Sequence, residues 1–212
     1  MRAARAVVQA EIGRAVLPYP GERLAADGCV VVRHTESIAM LALFDIAGHG
    51  AAAAKIATEL EAALHAMPDE PPPALLVRCH AALKGRPDAA AVAWVARLDL
   101  AAATAEVACV GDISFAPDAH KGPMLQGDAG QLGVTLPTIR PLLVPLAAGA
   151  TWVVCSDGVR SAAWAFVQAN LTRCGAQALA DAVVRQFGRK HDDASCLVVR
   201  FGAVAPGEGS AC

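Results

Sequence analysis

Leu43-Phe44-Asp45-Ile46-Ala47-Gly48-His49-Gly50 is the stretch that decides how this chain is read. An apolar run over residues 38–44 delivers one carboxylate, Asp45, to a turn holding two glycines, and an alanine-rich segment with helical spacing follows. A charged group is thereby set at the end of a buried strand, beside backbone that glycine frees for close approach. Taken alone, an Asp in such a passage is more simply a turn or N-cap residue than a ligand. The surrounding chain has to decide between the two.

Upstream, Asp27-Gly28 opens the β-branched run Cys29-Val30-Val31-Val32-Arg33, which His34-Thr35-Glu36-Ser37 connects to the 38–44 run as in a hairpin. In an antiparallel pair the start of the first strand lies beside the end of the second, so Asp27 and Asp45 are expected at one end of a sheet. Downstream the same device recurs. Thr151-Trp152-Val153-Val154-Cys155 runs into Ser156-Asp157-Gly158, and Asp192-Asp193 introduces a final strand over residues 194–201. If these two strands are antiparallel, Asp157 and Asp192 are neighbours.

Four carboxylates at strand ends repel one another unless cations neutralise them. No histidine or cysteine cluster stands at ligand spacing, so the donors are all oxygen, which selects hard ions such as Mg²⁺ or Mn²⁺ over Zn²⁺. Two such ions sharing a carboxylate lower the pKa of a bridging water and hold a phosphoryl oxygen, giving hydrolysis without a protein nucleophile. The competing reading is that each Asp only caps or turns. It suffices for one acid, and four acids placed alike favour the metal site.

Elsewhere the pattern is that of an antiparallel β protein with helical insertions. Residues 6–12 read as a first strand, ended by the Pro18-Tyr19-Pro20-Gly21 turn. After Gly50, Ala53, Ile56, Ala57, Leu60, Leu64 and Met67 mark one helix face. Asp69-Glu70-Pro71-Pro72-Pro73 connects rigidly to a second helix over residues 74–83. A hairpin follows over residues 92–98 and 105–111, then short segments around 113–116, 123–125 and 139–144, cut up by glycine and proline. Helices are expected over 161–170 and 176–187. Trp94, Trp152 and Trp164 read as packing residues. One domain over residues 1–201 and a frayed tail over 202–212 are expected.

Composition narrows the class of function. Eighteen basic and twenty acidic residues among 212 give a formal net charge of −2 without a dense basic block, which favours neither nucleic acid nor an anionic membrane as partner. The seven cysteines are odd in number and dispersed without a C-x-x-C pair, as expected of thiols in a reducing cytosol. Apolar runs are broken well short of a bilayer span. The expectation is a soluble cytoplasmic protein.

The motifs Asp45-Ile46-Ala47-Gly48-His49-Gly50, Cys155-Ser156-Asp157-Gly158-Val159 and Asp192-Asp193-Ala194-Ser195, in this order, resemble those of metal-dependent protein serine/threonine phosphatases of the protein phosphatase 2C (PPM) superfamily. The likeness is closest to the bacterial SpoIIE and RsbX branch. Pro20-Gly21-Glu22, Cys109-Val110-Gly111-Asp112 and Gly130-Gln131-Leu132-Gly133 add to it. The resemblance implies an α+β fold, a four-layer α-β-β-α sandwich of two antiparallel sheets flanked by helix pairs, with the metals at one end of the sheets. It implies that Asp45 bridges two Mn²⁺ or Mg²⁺ ions, that Asp157 and Asp192 complete one, and that Asp27 with the backbone carbonyl of Ile46 holds the other. A metal-bound water held by Asp45, Asp157 and Asp192 would then be the nucleophile.

Ala26 stands where relatives commonly have glycine, Ser195 where they have threonine, and Ala150 where an acid often precedes the strand. None of these replaces an implied ligand. His49 lies two positions beyond the histidine of relatives outside this branch, so a role in shaping the turn is expected of it. His191 reads as a loop residue, and Asp193 and Asp112 as hydrogen-bonding neighbours. The implied activity is removal of phosphate from Ser or Thr of a bacterial signalling partner, with phosphorylated STAS-domain proteins of a stressosome or partner-switching module as substrates and regulation by partners. Two alternatives stay open: a catalytically silent docking module that keeps the fold, and a phosphatase for small phosphoesters.

Overall fold

The computed structural model describes residues 8–120 and 125–203. Its elements in chain order are β1 (Val8–Leu17), β2 (Asp27–Arg33), β3 (Ile38–Ile46), α1 (Ala51–His65), α2 (Pro72–Leu83), β4 (Ala91–Asp99), β5 (Thr104–Val110), β6 (Ser114–Ala116), β7 (Leu142–Pro145), β8 (Thr151–Cys155), α3 (Ala163–Asn170), α4 (Ala176–Phe187) and β9 (Ala194–Ala203). Two antiparallel sheets result, one ordered β2-β3-β4-β5-β7 and the other β1-β9-β8-β6.

The side-chain period of two assigns the layers. Along β3, Met40, Ala42, Phe44 and Ile46 pack with Ile56, Leu60 and Leu64 of α1 and Leu75, Leu76 and Leu83 of α2. Ala39, Leu41 and Leu43 point the other way and join Trp94, Trp152, Leu197 and Val199 between the sheets. On the far side, Val153 of β8 and Cys196 and Val198 of β9 meet Val167 of α3 and Leu179, Ala180 and Val183 of α4. This is the α-β-β-α sandwich, and it explains why the 38–44 run is apolar on both faces: β3 is covered twice. Between the sheets, Trp152 makes edge contacts with Phe115 and Phe201 at ring separations of 5.2 and 5.0 Å. Such aromatic pairs are worth roughly 0.5–1.5 kcal/mol each beyond their buried area.

Most element bounds fall within a few residues of the sequence expectation, with one instructive difference. The first strand runs to Leu17, well past residue 12, and pairs with β9 over its whole length. Gly13 breaks the apolar pattern for a packing reason: a Cβ there would collide with the backbone of Ala176 at the start of α4. The triple proline begins α2 two residues early, as proline without an N–H suits a first turn. The last strand extends to Ala203, so residues 202 and 203 belong to the sheet, while residues 204–212 and the 123–124 part of the expected 123–125 strand lie outside the described residues. Leu125 forms an isolated bridge with Phe115.

The six described cysteines are free thiols, four of them buried. No helix among the described residues is long and apolar enough to cross a membrane.

Candidate active site

Register places the first pair of acids. In the β2–β3 ladder Asp27 stands directly opposite Asp45, and both share the strand face of Cys29, Leu41 and Leu43, which looks into the space between the sheets. From the second sheet, Ser156 and Ser195 hold the equivalent position at the ends of β8 and β9. The Ser156 amide donates to the Ser195 carbonyl at 3.2 Å, and the Ser195 amide donates to Ser156 Oγ at 3.0 Å. Two carboxylates from one sheet therefore face two hydroxyls from the other at a single end of the sandwich.

Burial makes this pair electrostatically expensive. Asp27 is 5% exposed, and neither of its carboxylate oxygens reaches hydrogen-bonding geometry with any partner among the described residues. Burial pushes its carboxyl up to about 7; the nearby Ser156 and Ser195 hydroxyls pull it part of the way back, and Asp193 and Asp192 push it up again. Asp45 is pushed up to about 9, first by burial, then by the charges of Asp27 and Asp157, and by a hydrogen bond shared with Asp157 that keeps a proton on Asp45.

The second pair sits on loops. Asp157 follows the end of β8 and is exposed, whereas Asp192 precedes β9 and is half-buried. Burial raises the Asp192 carboxyl, as does the charge of Asp157, while the Arg189 guanidinium draws it down. The turn between them needs glycine, since a Cβ at Gly158 would overlap the carbonyl oxygen of Asp193.

Asp193, read from sequence as a hydrogen-bonding neighbour, is buried and accepts hydrogen bonds at Oδ1 from the amides of Tyr19 at 3.0 Å and Ala26 at 3.2 Å. It thereby pins both ends of the loop that leads into Asp27. Ala26 is fully buried there, and its carbonyl accepts from the Ile46 amide at 3.4 Å, tying the loop to the Asp45 turn. Asp112 accepts from the Gln126 side chain at 3.3 Å.

The turn after Asp45 carries His49 on its outside. Gly48 and Gly50 adopt φ of 89° and 83°, values that favour glycine. The His49 ring stacks on Tyr19 at 4.0 Å with 11° between planes, and its Nδ1 lies 3.6 Å from Glu22 Oε1. These contacts bind the turn to the 19–26 loop, which accords with a shaping role. Tyr19, Glu22, Ser156 and Ser195 are the site neighbours that sequence reading did not assign. Strand parity points to the two serines, while the Tyr19 stack has no local signature.

All four predicted acids thus reach one end of the sandwich, with the Ile46 backbone beside them. They do not converge on one point: among the described residues, no three His, Cys, Asp or Glu side chains are grouped closely enough to hold a single ion. The donor set nevertheless fits a hard divalent cation, because it consists of oxygen atoms alone, two of them buried without a hydrogen-bond partner, and because positive charge offsets the burial and the repulsion that together push the Asp45 carboxyl up to about 9.

Comparison with known proteins bears on the family and the fold. Residues 36–202 match the family model of stage II sporulation protein E (SpoIIE). A solved structure from work on the bacterial stressosome as a modular system adapted to control secondary messenger signalling is 27% identical with a TM-score of 0.79, covering 91% of this chain and 100% of that one. RsbX in complex with magnesium is 14% identical with a TM-score of 0.76, covering 92% of this chain and 100% of that one. The structure holding the PP2C phosphatase domain of SpoIIE from Bacillus subtilis is 20% identical with a TM-score of 0.74, covering 94% of this chain and 65% of that one. No curated protein matches the chain. A family model that spans most of the chain shows that the chain belongs to the SpoIIE family, and its fold is that of RsbX and of the SpoIIE PP2C phosphatase domain.

Proposed function

We propose that this chain dephosphorylates phosphoserine or phosphothreonine on a bacterial signalling partner, a STAS-domain protein of a stressosome or partner-switching module, in the cytoplasm. One domain over residues 1–201 carries the activity. The observation that supports it most is the Asp27–Asp45 cross-strand pair, with Asp27 buried beside Ser156 and Ser195 and Asp45 half-buried beside Asp157 and Asp192. Partner-switching substrates are inferred from the stressosome relative, and divalent metal from the RsbX–magnesium complex together with the all-oxygen donor set.

The residues that would hold two Mn²⁺ or Mg²⁺ ions are Asp45, Asp157 and Asp192 for one and Asp27, Asp45 and the Ile46 carbonyl for the other; these side chains stand too far apart in this structure to hold an ion and would have to draw together around it. Bound there, such ions supply Lewis-acid activation of water and charge neutralisation at the phosphoryl group. The protein's own contribution is positional. The β2–β3 register holds Asp27 against Asp45, Asp193 fixes the loop entering Asp27, and Gly158 lets the Asp157 turn close onto the start of β9.

The test compares kcat/KM on a phosphorylated STAS-domain protein, on a phosphoserine peptide and on p-nitrophenyl phosphate, with Mn²⁺ and with a chelator. The expected result is metal-dependent turnover with the phosphoprotein preferred by at least about tenfold. Equal kcat/KM on all three makes the chain a phosphatase for small phosphoesters, and absence of Mn²⁺-dependent turnover on any of them makes it a docking module.

A further inference from the structure

We propose that Arg189 is the side chain that grips the phosphoryl oxygens of the substrate. This rests on the phosphatase reading above and adds a residue that none of the motif positions supplies.

Arg189 is placed by backbone on both sides of the loop-borne acids. Its amide donates to the carbonyl of Gly158 at 2.8 Å, the residue directly after Asp157. It also stands three residues before Asp192 on the segment that links α4 to β9. The side chain is exposed, and its guanidinium is near enough to the Asp192 carboxyl to draw it down.

The platform beneath it is stiff. Val159 bridges Gly188, and the Arg160 amide donates to the Phe187 carbonyl at 2.9 Å. Arg160 spends its own guanidinium on the carbonyls of Phe187 at 3.2 Å and Gln186 at 2.6 Å, with its charge over the Phe187 ring at 5.8 Å. One arginine of this rim is thus consumed in holding the loop. Arg189 is not: it takes part in none of the ion pairs or side-chain hydrogen bonds among the described residues. Lys190 beside it is likewise exposed and outside those ion pairs.

An exposed guanidinium held next to a cluster of acids has a chemical use. A phosphate monoester arrives as an anion at an end of the molecule that carries four carboxylates. Cations held by those acids would neutralise part of its charge, and a phosphoryl oxygen directed at the rim would still need a donor from the protein. A planar guanidinium meets that oxygen with two parallel N–H donors, where an ammonium offers a point charge. The loop's attachment to Gly158 runs through the Arg189 amide, so replacing the side chain leaves that attachment in place.

The experiment titrates inorganic phosphate into the Mn²⁺-loaded protein by calorimetry, and measures kcat and KM on a phosphoserine peptide, for wild type, Arg189→Ala, Arg189→Gln and Arg189→Lys. Arg173→Ala, an exposed arginine after α3 at the opposite end of the sheets, controls for net charge. The expected result is a phosphate Kd raised about tenfold in Arg189→Ala and Arg189→Gln, kcat/KM lowered about 10- to 100-fold, partial recovery in Arg189→Lys, and restoration of Arg189→Ala by added guanidinium ion. Arg173→Ala stays at wild-type values. Arg189→Ala and Arg189→Gln with wild-type phosphate Kd and kcat/KM overturn the proposal. Phosphate binding that depends on Arg189 in a wild type without turnover keeps it and removes the phosphatase reading instead.

Discussion

The two pairs of acids at the working end are built in opposite ways. Asp27 and Asp45 are strand residues, locked opposite each other by a ladder of seven paired positions, Asp27 buried and Asp45 half-buried. Asp157 and Asp192 are loop residues, one exposed and one half-buried, with a cation alongside. The sheet-borne pair stores electrostatic cost, because burial strips solvent from both acids and they repel each other, the two oxygens of Asp27 lacking a hydrogen-bond partner among the described residues. The loop-borne pair stores little and keeps access to whatever arrives from outside. In the proposed site, the strand-borne half would be the one that needs a cation and the loop-borne half the one that admits substrate.

The most severe way to break this contrast is Asp45→Asn, which removes the charge shared by both halves. Mn²⁺-dependent kcat/KM is expected to fall on the order of a thousandfold, ~4 kcal/mol of lost transition-state stabilisation. Retention of more than about a tenth of wild-type rate would show that Asp45 is not the shared ligand.

Asp193→Asn comes next, because it leaves every proposed ligand in place while weakening the tie that holds the loop entering Asp27 and removing one of the charges that push Asp27 up. Removing such a supporting group typically costs about 10- to 100-fold in metal affinity or activity. Mn²⁺ titration by calorimetry reads this directly, and unchanged affinity would mean that the loop needs no such anchor.

Stability against pH sharpens the electrostatic side. Asp27 and Asp45 titrate in the folded protein at about 7 and about 9, both above the 3.8 of an ordinary Asp. In between, the native state keeps protons that the unfolded chain has released, so unfolding free energy falls as pH rises. The contribution is fully present below the unfolded value and lost as pH climbs through about 7 and about 9. In chelator, Tm is expected to drop from about pH 5 to about pH 9 by on the order of 5 °C, and saturating Mn²⁺ is expected to cancel the drop. A flat or rising Tm in chelator over that window would contradict the buried-pair picture. The loop-borne pair predicts the companion result: Asp157→Asn makes the upper, Asp45 part of that curve shallower and leaves the lower, Asp27 part in place.

The smallest effect is expected at the strap. Tyr19→Ala removes the ring stacked on His49, worth roughly 1 kcal/mol, or about 2–4 °C in Tm. Differential scanning calorimetry measures it. A loss of more than about 10 °C would make the 19–26 loop part of the core rather than a cover for the turn.

Much of this was legible locally. Apolar runs of period two, each ended by Asp and glycine, mark strands and their ends, and the antiparallel rule brings Asp27 to Asp45 and Asp157 toward Asp192 before any coordinate is known. The helix over 176–187 was legible to the residue, because its apolar spacing is regular and glycine flanks it. The first strand was not read past residue 12, because the glycine that interrupts it answers to a helix more than 160 residues away in the chain.

By itself, the chain determined the order of strands and helices and which carboxylates share an end, since both follow from period and from the direction of neighbouring strands. Only the tertiary structure decided that Asp27 lies buried without a hydrogen-bond partner, that Ser156 and Ser195 face it from the other sheet, and that Asp193 reaches back across 174 and 167 residues to hold the loop before it. Those contacts join segments far apart in sequence across the gap between two sheets, and sheet-on-sheet packing has no periodic signature in a single chain. The carboxylates were visible in the sequence; what they cost, and therefore why they call for a cation, was set by how the two sheets close on them.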